Sequence, residues 1–92
     1  MHKTELVAVV AEYLGISHRE SDNIIASTLE HMTDALARGE SVNLIGFGAF
    51  SVKSRAERKG RNPKTGEDIT IAAHNQVVFK PGKALKEIVQ PA

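Results

Sequence analysis

A chain of 92 residues makes one small domain, and its lack of cysteine excludes disulfides, thiolate metal sites and cysteine nucleophiles. The formal net charge of +1 averages two unlike halves: residues 1–50 carry three Lys and Arg against seven Asp and Glu, a net of −4, while residues 51–92 carry nine against four, a net of +5. No apolar run approaches the roughly 20 residues of a membrane span, and Met1-His-Lys-Thr-Glu5 leads into an amphipathic pattern broken by Glu12 rather than into a signal peptide.

Leu6, Val7, Val10, Ala11 and Leu14 recur at helical spacing and predict a helix from about Lys3 to Leu14, stopped at Gly15. Ser17-His-Arg-Glu20 is a capping box, in which the serine hydroxyl and the glutamate each satisfy an orphan backbone N–H. The second helix follows it, with Ile24, Ile25, Thr28, Leu29, Met32, Ala35 and Leu36 as its apolar stripe and Arg38-Gly39 as its stop. Both helices have apolar faces wider than one small subunit covers, so oligomerisation is expected.

The period then changes. Val42 to Ile45 reads as a short strand, Gly46-Phe-Gly48 as a bend, and Phe50 to Arg55 as a longer strand. Arg58-Lys-Gly-Arg-Asn-Pro-Lys-Thr-Gly66 is a Pro/Gly turn, in which Pro63 presets φ and Gly66 takes a positive one. Glu67 to Phe79 is the return strand, with Ile69, Ile71, Val77 and Phe79 at alternate positions, and Pro81-Gly82 ends it. Lys83 to Val89 is a short last helix, giving the order α-α-β-β-β-α and an α+β class. The hairpin tip carries Arg58, Lys59, Arg61 and Lys64 and almost nothing to bury, which suits a polyanion.

Catalytic readings find no support. Gly60 to Gly66 lacks the Gly-Lys-Ser/Thr of a P-loop and continues as strand, and Gly46-Phe-Gly48 lacks the third glycine of a dinucleotide fingerprint. His2, His18, His31 and His74 have no metal-ligand spacing, and no serine sits in a nucleophile elbow. The chain is expected to be no enzyme and to need no metal, cofactor or small-molecule substrate.

Gly46-Phe-Gly-Ala-Phe50, Arg55, Arg58, Gly60-Arg-Asn-Pro-Lys-Thr-Gly66 and Phe79-Lys-Pro-Gly-Lys83 together resemble the bacterial histone-like HU family, which includes integration host factor. The likeness covers nearly the whole chain, and the Arg-Asn-Pro-x-Thr-Gly tip is its most specific part. It implies a single domain over residues 1–92: a helical dimerisation base (1–40), a sheet (41–82) with a DNA-binding arm at about 54–75, and a C-terminal helix (83–90). It further implies an intertwined dimer whose antiparallel sheets form a saddle and whose protruding hairpin arms follow the minor groove of double-stranded DNA. The partner subunit is a second copy or a paralogue, and the location is the cytoplasm, at the nucleoid.

By the same resemblance Pro63 is a wedge that kinks the duplex, its ring standing in for lost base stacking while Arg61 and Asn62 meet groove-edge acceptors and phosphates. The implied DNA-binding set is Lys3, Lys53, Arg55, Arg58, Lys59, Arg61, Asn62, Pro63, Lys64, His74, Lys80, Lys83 and Lys86. Leu29, Met32, Leu36, Leu44, Phe47, Phe50 and Phe79 are assigned to the core or dimer interface. Minor-groove acceptors barely distinguish A·T from T·A, so binding and bending are expected to be largely sequence-independent. The alternatives are a site-specific subunit in the manner of integration host factor, or a protein-interaction module with an acidic helical surface and weak DNA binding.

Two features depart from the family pattern. Ala73-His-Asn-Gln76 stands where lysine or arginine is common, implying a weaker flanking contact to which His74 adds charge only when protonated. The helical half is also acidic where the family is usually basic.

Overall fold

The computed structural model describes residues 1–90. Its element order is α1 (Lys3–Leu14), α2 (His18–Ala37), β1 (Val42–Leu44), β2 (Gly48–Arg55), β3 (Arg58–Arg61), β4 (Asp68–Ile71), β5 (His74–Pro81) and α3 (Lys83–Val89). The chain divides into two compact units, Met1–Ala35 and the part from Leu36 onward. Among the described residues, no helix is long and apolar enough to cross a membrane.

In the first unit α1 ends in a Schellman motif, with Ile16 N–H donating to Ala11 O at 3.0 Å and Gly15 N–H to Glu12 O at 3.3 Å. At the start of α2, Ser17 Oγ accepts the Glu20 N–H at 3.0 Å, as the capping box requires. The glutamate half of the box differs from expectation. Its carboxylate accepts a hydrogen bond from the Ser17 hydroxyl at 3.3 Å, since one hydroxyl can both accept and donate. Val7, Ala11 and Ser21 are the buried residues of this unit, and Ser21 donates to Val7 O at 2.7 Å. That bond ties the start of α2 to the backbone of α1.

The second unit is built on a three-stranded antiparallel sheet in the order β1-β2-β5, with β3 and β4 forming a separate two-stranded ladder. Phe47, Phe50 and Phe79 cluster on it, with Phe79 centred 5.6 Å from Phe47 and 4.7 Å from Phe50. Gly48 permits this packing: a Cβ there would lie 2.7 Å from both Lys80 O and the Phe79 ring.

The sequence pattern ends the entering strand at Arg55 and reads Arg58–Gly66 as turn, whereas the chain resumes as strand over Arg58–Arg61 after a break at Ala56-Glu57. The return strand, predicted unbroken from Glu67 to Phe79, is interrupted at Ala72-Ala73. The pairing holds across the gap, since Arg55 faces His74 below it and Arg58 faces Ile71 above it. Two residues are skipped on each side, so neither strand gains a bulge.

Candidate nucleic-acid interface

The arm tip is a turn organised by Asn62. Its carbonyl accepts the Gly66 N–H at 2.7 Å, its N–H donates to Glu67 O at 2.8 Å, and its Oδ1 accepts the Lys64 N–H at 2.9 Å. The last bond is an Asx turn. Gly66 closes the turn with φ of 74°, open only to glycine without strain. Pro63 is thereby held at the apex with its ring exposed. Asn62 has its side-chain oxygen engaged internally, which leaves its amide hydrogens for an outside acceptor.

Pairing fixes what each face of the hairpin presents, because directly opposed residues share a face. On one face Lys80 stands across from Ala49, Lys53 from Gln76 and Arg55 from His74; on the arm Lys59 faces Thr70 and Arg61 faces Asp68. The other face is mostly apolar at the base, where Phe50 meets Phe79 and Val52 meets Val77. On the arm it carries Gly60 against Ile69, whose side chain together with that of Ile71 covers the glycine. Within the β3–β4 ladder Arg58 pairs with Ile71, on the side away from Lys59 and Arg61.

Several expected contact residues have partners within the chain. Arg61 Nε lies 3.8 Å from Asp68 Oδ1, Lys3 Nζ 3.7 Å from Asp22 Oδ1, and Lys83 Nζ 4.0 Å from Glu87 Oε1. Lys53, Arg58, Lys59, Lys64, Lys80 and Lys86 have no acidic partner within 4.0 Å among the described residues. Lys3 belongs to the first unit; the rest of the expected set belongs to the second. Lys86 borders an apolar recess of 450 Å³ formed with Pro81, Leu85, Val89 and Gln90.

Where the strands are interrupted, Arg55, Ala56, Glu57, Arg58, His74 and Gln76 line a recess of 470 Å³. Arg55 Nε donates to Gln76 Oε1 at 2.9 Å, and His74 Nδ1 lies 3.0 Å from Ala72 O. Sequence reasoning missed Gln76 and Asp68 as partners of the arginines. A register counted outward from the Asn62–Gly66 turn puts Asp68 opposite Arg61, while Gln76 lies opposite Lys53 and reaches Arg55 on the diagonal.

The sequence model of the family described as "Bacterial DNA-binding protein" matches residues 1–90. The chain is 53% identical over 90 residues to the DNA-binding protein HU of Xylella fastidiosa, covering 98% of this chain and 96% of that protein. It is 49% identical to the Geobacillus stearothermophilus DNA-binding protein HU, covering 98% and 100%. Among solved structures it resembles an Anabaena HU–DNA cocrystal structure, with TM-score 0.88, 37% identity and coverage of 99% and 100%. HU from Thermotoga maritima follows with TM-score 0.68, 34% identity and coverage of 98% and 100%. Shared fold, near-complete coverage and this level of identity place the chain in the bacterial DNA-binding protein family, among the HU proteins.

Proposed function

We propose that two copies of this chain, or one copy and a paralogue, form a dimer that binds and bends double-stranded DNA with little sequence preference, as a histone-like component of the cytoplasmic nucleoid. The tip geometry carries the reading. An exposed proline is fixed at the apex of a self-bonded turn, at the end of a ladder with cations along one face. Pro63 serves as the wedge, and Asn62, Arg61 and Lys64 flank it in the minor groove. Lys53, Arg55, Lys59, Lys80 and His74 follow the phosphates along the ladder face; Arg58, Lys3, Lys83 and Lys86 add phosphate contacts outside it. The similarity to a structure described as an HU–DNA cocrystal supports the same ligand class.

Exposed apolar side chains support the dimer. Leu29, Leu44, Phe47 and Phe79 are exposed on the single chain, and Ile45 wholly so. Met32, Leu36 and Phe50 are half-buried. A chain of this size gains too little from Val7 and Ala11 alone, so residues 1–40 serve as a shared helical base and the Phe47–Phe50–Phe79 cluster as the floor of a joint saddle. The arm at about 54–75 and the helix at 83–90 complete one domain.

Binding isotherms on a short duplex at two salt concentrations test the reading. Each phosphate neutralised contributes about 0.9 to the log–log slope, and we expect about six or more per dimer. A slope near zero overturns it in favour of a protein-interaction module.

A further inference from the structure

We propose that His74 is a phosphate-contacting residue whose hold on DNA is switched by protonation of its Nε2, in the recess at the strand interruption. This rests on the DNA-binding reading above and deepens it. The hydrogen bond at Ala72 decides the chemistry. A carbonyl oxygen only accepts, so Nδ1, 3.0 Å from Ala72 O, carries the ring hydrogen. In the neutral ring Nε2 is then a bare lone pair, and it has no partner among the described residues. Phosphate oxygens are acceptors too, so neutral His74 offers them nothing. Protonation places an N–H and a positive charge at Nε2 without disturbing the Ala72 bond, and a charge-assisted hydrogen bond becomes available.

The surroundings suit an anion. Arg55 stands directly across the ladder from His74, and Lys53 is two pairs further down on the same face, across from Gln76. Arg58 and Glu57 complete the recess, Glu57 being the one acid on its wall. Gln76 fixes Arg55 through Nε, leaving the two terminal guanidinium nitrogens without a protein acceptor among the described residues. A phosphate seated there meets a fixed guanidinium on one strand and a titratable imidazole on the other. The sign of the linkage follows: the complex binds more protons than the free partners, so affinity rises as pH falls through the range where histidine gains its charge. His74 lies on the return strand, and its contact with phosphate is conditional on its charge.

The test compares the full-length parent, His74→Gln and His74→Lys on one short duplex at matched ionic strength, at about pH 6 and about pH 8. The side chain is exposed, so both variants should fold, and His2, His18 and His31 stay in place as internal background. An exposed ion pair is worth up to about fivefold in an equilibrium constant. The parent should therefore tighten by up to about fivefold per engaged arm on acidification. His74→Gln should hold near the parent's alkaline affinity at both pH values, and His74→Lys should bind tightly at both. Calorimetry in buffers of different ionisation enthalpy should show proton uptake on binding by the parent and little by His74→Gln. An equal pH response in the parent and His74→Gln overturns the proposal while leaving DNA binding intact. Failure of all three proteins to bind DNA at either pH overturns the DNA-binding reading and this inference with it.

Discussion

Arg61 and Asp68 oppose each other on the last pair of the β3–β4 ladder, with Nε 3.8 Å from Oδ1, so the arginine nearest the tip already has an anion beside it. Both side chains are largely exposed, and such pairs contribute at most about 1 kcal/mol to folding. Under the proposed function their weight falls on binding instead: a phosphate approaching Arg61 would compete with Asp68 and meet its charge.

Asp68→Asn should therefore tighten DNA binding by about twofold to fivefold at low salt, with stability changed by no more than about 0.5 kcal/mol. The gain should fade as salt is added, because the interaction is solvent-screened. Fluorescence anisotropy on a labelled duplex measures it. Equal or weaker binding by the variant would show that Asp68 orients Arg61 rather than occupying it.

Pro63→Ala and Arg61→Ala should separate bending from binding. The proline variant keeps every charge, so its salt slope should stay close to the parent's while the duplex bends less. Unstacking a base step costs a few kcal/mol, and an inserted ring helps offset that cost. Arg61→Ala should weaken binding to all duplexes and lower the slope by about one per contacting arm. Energy transfer between the ends of a short duplex reports the bend. Undiminished bending by Pro63→Ala would make Pro63 a turn residue only.

Gly48→Ala should destabilise the sheet by about 1–3 kcal/mol, since the added methyl meets the Phe79 ring and also a backbone carbonyl that cannot swing aside. Urea unfolding would show a lower midpoint with little change in slope. An unchanged midpoint would mean that the β2–β5 pair relaxes easily at this point.

The thermal midpoint of the parent should rise with protein concentration, by mass action on a dimer whose subunits are poorly stable alone. Sedimentation at micromolar concentration should give a dimer; a folded 10.0 kDa species would remove the shared-base interpretation.

The helices were legible because their signals are local. The Lys3–Leu14 stripe and the Ser17 cap lie within a few residues of what they control, and both ends of α1 fall where the periodicity places them. The tip was legible for the same reason, Asn62, Pro63 and Gly66 each having a conformational role fixed by residue type. The interruption at Ala72-Ala73 was not, nor was the strand over Arg58–Arg61, whose glycine and neighbouring proline read as turn. Alanine is neither a turn former nor a strand breaker, and alternation on either side runs on in phase, so periodicity passes over the gap. The face assignment was equally hidden. Nothing near Arg58 in sequence separates it from Lys59 and Arg61; only the pairing puts it beside Ile71.

The equal two-residue gaps in the strands constrain how long this arm can be. Strands rise about 3.4 Å per residue and alternate their faces with period two. Removing Ala56-Glu57 and Ala72-Ala73 together would shorten the reach by about 7 Å and leave Lys59 and Arg61 on the side they now occupy. Removing one residue from each strand would shorten it by half as much and turn those cations to the opposite side. Reach is thus quantised in double rungs. A lineage altering the reach of the arm would have to add or lose four residues at once, or rebuild the charge pattern of the whole tip.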